Sequence, residues 1–174
     1  MKHTISLLVE NKPGVLSRVA GLFSGRGFNI ESLSVAETID PLLSRMTILT
    51  TGNDQILEQI TKQLNKLINV IKVVDFKSNE YVGRELALIK VTVSEQTRSE
   101  ILSIVDIFRG KVVDVSSESY TIETTGDSNK IEAIIDLFRP MGIKEIARTG
   151  CAALTRGGKV KAAKGKNSSA AKDK

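Results

Sequence analysis

Apolar and polar residues alternate along the first half of the chain with the two periods expected of strands and helices. An apolar run before residue 10 predicts a first strand, and an apolar stripe at helical spacing after Pro13 predicts an amphipathic helix. In chain order the predicted elements are a strand at 1–9, a helix at 13–24, strands at 28–36 and 45–51, a helix at 53–68 and a strand at 70–76. A bulge is expected near Ser32 in the second strand. The order β-α-β-β-α-β is that of the ferredoxin-like fold, in which two helices cover one face of a four-stranded antiparallel sheet.

The same order of elements recurs in the second half of the chain. The predicted segments are a strand at 85–93, a helix from 97 to 108, strands at 111–116 and 120–125, a helix at 131–138 and a strand at 143–149. Thr97 and Glu100 fit a capping box at the start of the first of these helices, and Pro140 ends the second. We therefore predict an α+β protein with two ferredoxin-like βαββαβ domains, at residues 1–77 and 85–155, joined by a linker at 78–84.

A Lys-rich segment follows the second domain at residues 156–174. It has almost no large apolar side chains to offset the entropy of ordering, so it is predicted to be a disordered basic C-terminal tail. It carries seven lysines and arginines against one aspartate, so the tail accounts for the net charge of +5 and the predicted domains are close to neutral. Nucleic acid is therefore not an expected partner, although weak contact between the tail and nucleic acid stays open.

Composition excludes several classes of protein. There is no apolar run of about 18 residues and no amino-terminal basic and apolar leader, so we expect a soluble cytoplasmic protein without membrane contact. Cys151 is the single cysteine and His3 the single histidine, which leaves no disulfide within the chain and none of the usual zinc clusters. We expect no metal site, with Cys151 as a small buried or late-strand residue and His3 near a strand end.

The turn between the first strand and the first helix is the most informative segment for function. Pro13 suits a first helical position, and Gly14 lacks a β-carbon, so a ligand can approach the backbone amides of Gly14, Val15 and Leu16. These amides lie at the positive end of the helix dipole, where a carboxylate binds favourably. The same residues are also typical of a Pro-Gly turn that binds nothing. Gly25 and Gly27 are predicted to end the helix at positive φ.

No arrangement of residues predicts an enzyme active site. No serine lies in a G-x-S-x-G motif, and no histidine is placed to act as its base. The glycines between residues 25 and 30 follow a helix rather than a strand, which excludes the dinucleotide-binding motif. The central strands also lack the exposed aromatic residues that stack on RNA bases. We therefore predict no catalytic residues.

Two motifs give the chain a resemblance to a known family. N-K-P-G-V-L-S-R-V at 11–19 and R-G-F-N-I-E-S-L at 26–33 resemble the amino-terminal ACT domain of the regulatory (small) subunit of acetolactate synthase, also called acetohydroxyacid synthase. The resemblance continues through S-R-M-T at 44–47, R-E-L-A-L-I-K-V at 84–91 and A-R-T-G at 147–150. It covers about residues 2 to 155 and implies that the first domain is an ACT domain and the second is ACT-like. The second domain lacks the Pro-Gly turn, so the two are not expected to share a ligand site.

The family implies a non-catalytic subunit that binds and activates the thiamine-diphosphate-dependent catalytic subunit. It also implies feedback inhibition of the complex by valine in branched-chain amino-acid biosynthesis. No cofactor is expected on this chain, whereas thiamine diphosphate, Mg and FAD are expected on the catalytic partner. ACT domains of this family pair edge to edge as a homodimer, which places the effector at the interface.

The valine-binding residues that the resemblance implies are Asn11, Gly14, Val15, Leu16, Asn29, Ile30 and Val35. The amides after Gly14 would take the carboxylate, the two asparagines would bond the polar head, and Val35 would hold the isopropyl group. Asn29 would reach a ligand held mainly by the partner chain. Gln59 matches a segment implicated in contact with the catalytic subunit, and it is equally consistent with an exposed helix residue. Two alternatives stay open, a stand-alone ACT-type amino-acid sensor that regulates another partner and a small metabolic enzyme.

Overall fold

The computed structural model describes residues 1–76 and 80–157, which form two antiparallel sheets with two helices on each. The first domain consists of β1 (Lys2–Glu10), α1 (Val15–Ser24), β2 (Ile30–Glu37), β3 (Leu43–Thr51), α2 (Asp54–Leu64) and β4 (Val70–Phe76). Its strand order is β2-β3-β1-β4. This is the predicted α+β class with a ferredoxin-like βαββαβ unit.

The second domain repeats this architecture. It consists of β5 (Tyr81–Thr92), α3 (Arg98–Ile107), β6 (Lys111–Val115), β7 (Ser119–Gly126), α4 (Ser128–Phe138), a 3₁₀ turn (Arg139–Met141), β8 (Ile143–Arg148) and β9 (Ala152–Thr155). The order β6-β7-β5-β8 matches that of the first sheet, and β9 pairs with the start of β5. The predicted second ferredoxin-like domain is thus confirmed, with one additional strand.

Each domain has its own apolar core between the sheet and its helices. Ile5, Leu7 and Ile48 of the first sheet are fully buried beneath Phe23 of α1 and Ile60 of α2, among others. The second core is also built mainly of branched aliphatic residues around one fully buried aromatic ring, Phe138. Because burying each such side chain contributes about 1.5–3 kcal/mol, these alternating positions explain why the sequence pattern predicts the elements well.

The domain boundary differs from the prediction. β5 begins at Tyr81, so residues 81–84 are strand rather than linker, and they pair with the unpredicted β9 from Ala152 to Thr155. Arg156, predicted to begin the tail, donates its backbone N–H to Glu80 O at 2.9 Å and its Nε to Tyr81 O at 3.1 Å. Residues 77–79 of the predicted junction and most of the predicted tail, 158–174, lie outside the described residues.

The ribbon formed by residues 81–84 and β9 packs on the helix-free face of the first sheet. Thr4 Oγ1 and Tyr81 Oη lie 3.3 Å apart, and Ala153 N–H donates to Thr47 Oγ1 at 3.3 Å. The Tyr81 ring stacks on Phe76 with a centroid distance of 4.8 Å. As a result Thr4, Ser6 and Thr47 are buried polar residues in a face whose alternation alone would favour exposure to solvent.

A charged cluster joins β5, β8 and α4. The Arg148 guanidinium donates Nε to Glu85 Oε1 at 2.6 Å and Nη2 to Glu85 Oε2 at 3.0 Å, while Nη1 donates to Glu132 at 2.7 Å. Glu85 is only 6% exposed. Hydrogen bonding to Glu85 raises the pKa of Arg148 well above its usual range. The Arg148 guanidinium therefore makes two hydrogen bonds to Glu85 and one to Glu132, and the cluster connects β5, β8 and α4.

The helix ends in the two domains follow one geometry with different residues. Gly27 after α1 has φ +70°, and Phe28 N–H donates back to Phe23 O at 3.0 Å. Arg109 after α3 has φ +50°, and Gly110 N–H donates back to Val105 O at 2.8 Å. Both ends are Schellman motifs. The prediction that Gly27 ends α1 at positive φ is confirmed. The same prediction for Gly25 is wrong, because Gly25 has a φ of −65°.

The start of α3 corrects a further prediction. Thr97 is the N-cap residue, but its side chain makes no capping bond into the helix toward Glu100. Instead Ser94 N–H donates to Thr97 Oγ1 at 3.0 Å, and Thr97 N–H donates to Ser94 Oγ at 3.2 Å. This reciprocal pair has the three-residue spacing of the predicted capping box, but it joins Ser94 to Thr97 instead of Thr97 to Glu100. Two hydroxyls can form it because a serine or threonine side chain readily bonds the nearby backbone.

Replacing Arg148 by Met is expected to lower the free energy of unfolding by about 3–5 kcal/mol, because the buried Glu85 carboxylate then loses its counter-charge. Arg139→Met is the matched control, since Arg139 pairs with Asp136 at the surface, where both side chains are 67% exposed. Urea unfolding followed by circular dichroism gives both values. Equal effects of the two substitutions would contradict a structural role for the Arg148 cluster.

Replacing Arg109 by Gly is expected to raise the free energy of unfolding by about 0.5–1 kcal/mol, because glycine adopts a positive φ without strain. Gly27→Ala makes the reverse change at the equivalent position, where an added β-carbon meets nothing within 4 Å, so only backbone strain acts. It should lower the free energy of unfolding by about 1 kcal/mol. Opposite signs in urea unfolding support the equivalence of the two helix ends, and equal signs count against it.

Candidate functional site

The connection from β1 to α1 is a tight turn that depends on Gly14. Gly14 has φ +81° and ψ −9°, and Val15 N–H donates to Lys12 O at 3.3 Å. With Pro13 second and Gly14 third, this is a type II turn. The predicted helical position of Pro13 is wrong, because α1 begins at Val15 after a left-handed N-cap. A β-carbon on Gly14 would meet nothing within 4 Å, so the space over the turn is open to a ligand.

Backbone donors are left open at the start of α1. No side chain caps the helix, and its first turn carries no acidic residue. Across the described residues, Gly14, Leu16 and Ser17 have no backbone acceptor for their N–H groups. Val15 differs, since its N–H closes the turn and its side chain is buried in the core. Of the three predicted donors, Gly14 and Leu16 therefore remain available to an anion at the positive end of the helix dipole.

Asn11 is fixed on one flank of the turn. Its backbone N–H donates to Leu42 O at 2.7 Å, and its Nδ2 donates to Pro41 O at 2.9 Å. Asp40 and Pro41 lie in the connection between β2 and β3, where an Asp-Pro pair is a typical turn signal. Because Nδ2 is engaged there, the Oδ1 of Asn11 is the atom left to accept a bond from a ligand ammonium group.

The other flank of the turn is held by residues that the sequence patterns do not single out. Asn69 Nδ2 donates to Glu10 Oε2 at 2.5 Å, and Arg18 Nη1 donates to Asn69 Oδ1 at 2.7 Å. The Lys12 ammonium lies 3.2 Å from the same Glu10 carboxylate. These bonds, first that from Asn69 and then that from Lys12, lower the pKa of Glu10 below its usual range. The only sequence signal at Asn69 is that of a residue breaking the predicted helix.

Asn29 and Ile30 lie at the opposite end of the sheet from Gly14. Ile30 pairs with Thr50, which pairs with His3 near the start of β1, whereas the turn follows the end of β1 at Glu10. Seven residues of strand separate these ends, which at ~3.3 Å per residue is about 23 Å. Asn29 is exposed, and it accepts a bond from Thr50 Oγ1 only through its backbone oxygen, at 2.7 Å. One chain therefore does not bring the predicted effector residues together.

Val35 lies on β2 between these two ends. It pairs with Met46, and its side chain is 42% exposed on a strand with no outer neighbour among the described strands. The predicted bulge near Ser32 is confirmed by a register shift between Ile30 and Ser32. Exposed apolar side chains continue around this edge at Leu16, Ile39 and Leu42. The strand and these side chains form a surface that we call the β2 edge.

The remaining sequence candidates lie elsewhere. Gln59 is exposed on α2, which fits both of the roles considered for it. Cys151 is half-buried between β8 and β9, and His3 lies in β1 with Nε2 3.1 Å from Gly52 O. Within residues 1–76 and 80–157, no group of three His, Cys, Asp or Glu residues could hold a metal ion. In the same part of the chain, no helix has the length and apolar character to cross a membrane.

Family comparisons divide the chain as the structure does. The family model described as "AHAS small subunit-like ACT domain" matches residues 5–72, and the one described as "Small subunit of acetolactate synthase" matches residues 84–157. The first match contains the open turn of Gly14 and most of the first sheet. The second contains most of β5 and the whole of the Arg148 cluster.

Whole-chain relatives agree with these matches. The chain is 58% identical over 156 residues to the probable acetolactate synthase small subunit of Methanothermobacter thermautotrophicus, covering 89% of this chain and 93% of that one. It is 57% identical over 155 residues to the acetolactate synthase small subunit of Mycolicibacterium smegmatis, covering 89% and 91%. The crystal structure of the acetolactate synthase small subunit from Thermotoga maritima superposes with a TM-score of 0.81 at 47% identity, covering 90% and 98%. The chain therefore belongs to the family of acetolactate synthase small subunits, which are regulatory subunits with ACT domains.

Proposed function

We propose that this chain binds and activates the catalytic subunit of acetolactate synthase and makes the complex sensitive to inhibition by valine. Family membership supports the catalytic partner. The observation that carries the effector proposal is the uncapped start of α1, where the Gly14 and Leu16 amides have no acceptor. The inhibition acts in the cytoplasm, as feedback on branched-chain amino-acid synthesis.

The turn suits the polar head of a free amino acid. The open amides take the α-carboxylate, and Oδ1 of Asn11 accepts a bond from the α-ammonium group. The side chains of Leu16 and Val35, both partly exposed, provide apolar surface for an isopropyl group. Valine requires a polar and an apolar contact; in this proposal the turn supplies the first, and Leu16 together with the β2 edge supplies the second.

A second copy of the chain completes the site. β2 is an edge strand, and antiparallel pairing of two β2 strands about a twofold axis places the start of one strand beside the end of the other. Asn29 and Ile30 of the partner subunit then lie beside Asn11 and Gly14. This arrangement explains why residues of one motif lie at opposite ends of the same sheet, and it covers the exposed apolar side chains of the β2 edge.

The chemistry of acetolactate formation belongs to the catalytic partner in this proposal. Thiamine diphosphate, Mg and FAD bind there, and this chain contributes no cofactor. The exposed face of α2 that contains Gln59 is the proposed contact with that partner. Coupling between valine and the partner is reciprocal, so binding the catalytic subunit must also change the affinity for valine.

Gly14→Asp is expected to raise the valine concentration for half-inhibition at least tenfold, because its carboxylate repels that of valine across the open amides. Gly14→Ala is the matched control: it imposes the same strain at φ +81° without a charge and should have a smaller effect. The measurement is acetolactate formation by the catalytic subunit with each variant, titrated with valine. Activation by a variant shows that it folds and assembles.

Two results of that experiment would count against the proposal. An unchanged response of Gly14→Asp to valine would exclude the turn as the effector site. No activation by the wild-type chain would favour the alternative of an amino-acid sensor for another partner.

Mixing Asn11→Ala with Asn29→Ala chains is expected to restore part of the inhibition that each variant loses alone. If each site uses Asn11 of one chain and Asn29 of the other, every mixed dimer has one intact site and one site lacking both residues. A random mixture then holds about a quarter of its sites intact. The same assay measures this fraction as inhibition at the wild-type valine concentration. No recovery in the mixture would contradict a site shared between Asn11 of one chain and Asn29 of the other.

A further inference from the structure

Asn69, in the connection between α2 and β4, fixes the β1–α1 turn through three hydrogen bonds. Its backbone oxygen accepts from Glu10 N–H at 2.9 Å, its Nδ2 donates to Glu10 Oε2 at 2.5 Å, and its Oδ1 accepts from Arg18 Nη1 at 2.7 Å. Glu10 immediately precedes the turn. Arg18 lies one helical turn after it and donates its own N–H to Gly14 O at 3.0 Å. One side chain therefore ties the entry of the turn to its exit.

The charges around the turn depend on this arrangement. Glu10 is the acidic residue closest in sequence to the open amides, and its carboxylate would oppose an incoming anion. Asn69 and Lys12 both hold that carboxylate, and the Arg18 guanidinium is held toward Asn69 on the same flank. With one negative and two positive side chains, the fixed cluster carries a net charge of +1, which favours a carboxylate ligand.

We propose that Asn69 is a positioning residue for effector binding, which holds Glu10 and Arg18 so that the Gly14 and Leu16 amides stay open to the effector carboxylate. Asn69 acts without touching the ligand. It differs in this from Asn11, which borders the open side of the turn. The proposal rests on the proposed function, because it assumes that valine binds at this turn.

The test uses the complete complex with the catalytic subunit. Asn69→Ala is expected to raise the valine concentration for half-inhibition about tenfold while activation without valine stays unchanged, because two side-chain hydrogen bonds are lost. Asn69→Asp should raise it further, since its carboxylate keeps the acceptor for Arg18 but faces Glu10 without a donor. Asn65→Ala is the matched control in the same connection, because Asn65 Nδ2 bonds only Thr61 O of its own helix, at 2.8 Å.

A second readout separates positioning from a general loss of stability. In the isolated chain, Asn69→Ala should raise the pKa of Glu10 toward its usual value, as followed by carboxyl NMR, because the bond from Asn69 is the largest cause of the lowering. Lys12→Met should also raise that pKa, because Lys12 contributes a second bond and its charge, and Asn65→Ala should not change it. An unchanged Glu10 pKa in Asn69→Ala would overturn the geometry on which the proposal depends.

The remaining outcomes are equally distinct. An unchanged valine response in Asn69→Ala, with normal inhibition of the wild-type complex, overturns this proposal alone. Equal loss of activation and inhibition assigns Asn69 a purely structural role and also overturns it. A wild-type complex that is activated but not inhibited by valine overturns both this proposal and the assignment of valine as effector.

Discussion

The candidate site depends on one backbone conformation, the left-handed Gly14 that joins β1 to α1. A residue with a β-carbon would be sterically strained at φ +81°. If the helix began at Pro13 instead, the Leu16 N–H would donate within the helix and would no longer be open to a ligand. Gly14 therefore has two effects: it lets the chain reverse within four residues, and it leaves the first donors of α1 without acceptors. Asn11 bonds the turn to the β2–β3 connection on one flank, and Asn69 bonds it to the α2–β4 connection on the other.

The equivalent helix start in the second domain has a different hydrogen-bonding arrangement. At the start of α3, Ser94 and Thr97 bond each other's backbone N–H groups, so the protein supplies its own acceptors. The turn there has neither proline nor glycine, and α3 has an acidic residue in its first turn. The two domains thus share an architecture, but the N-cap amide has a protein acceptor at Thr97, whereas at Gly14 it has none among the described residues. The shared fold therefore does not imply a shared site.

Sequence pattern predicted most of the fold because both sheets alternate clearly and both helices of each domain carry apolar stripes. It failed at residues 81–84 and 152–155, two short segments without clear periodicity that form strands only because they pair with each other across a long stretch of chain. For the site, Asn11, Gly14 and Leu16 lie beside one another because they are close in sequence. The sequence motif could not show that Asn29 lies at the opposite end of the sheet in the same chain, nor that Asn69 reaches Glu10, because it carries no information on contacts between distant segments.

The ribbon of residues 81–84 and β9 has a consequence for how the protein is made. The hydroxyl-rich face of the first sheet is sealed by a strand that ends at Thr155, which leaves the ribosome long after the first sheet has emerged. Until then that face is exposed to solvent. The first domain therefore cannot complete its packing independently of the second. The face is covered only after residues 152–155 have been synthesised, so a chain that terminates before them leaves the hydroxyl-rich face of the first sheet exposed to water.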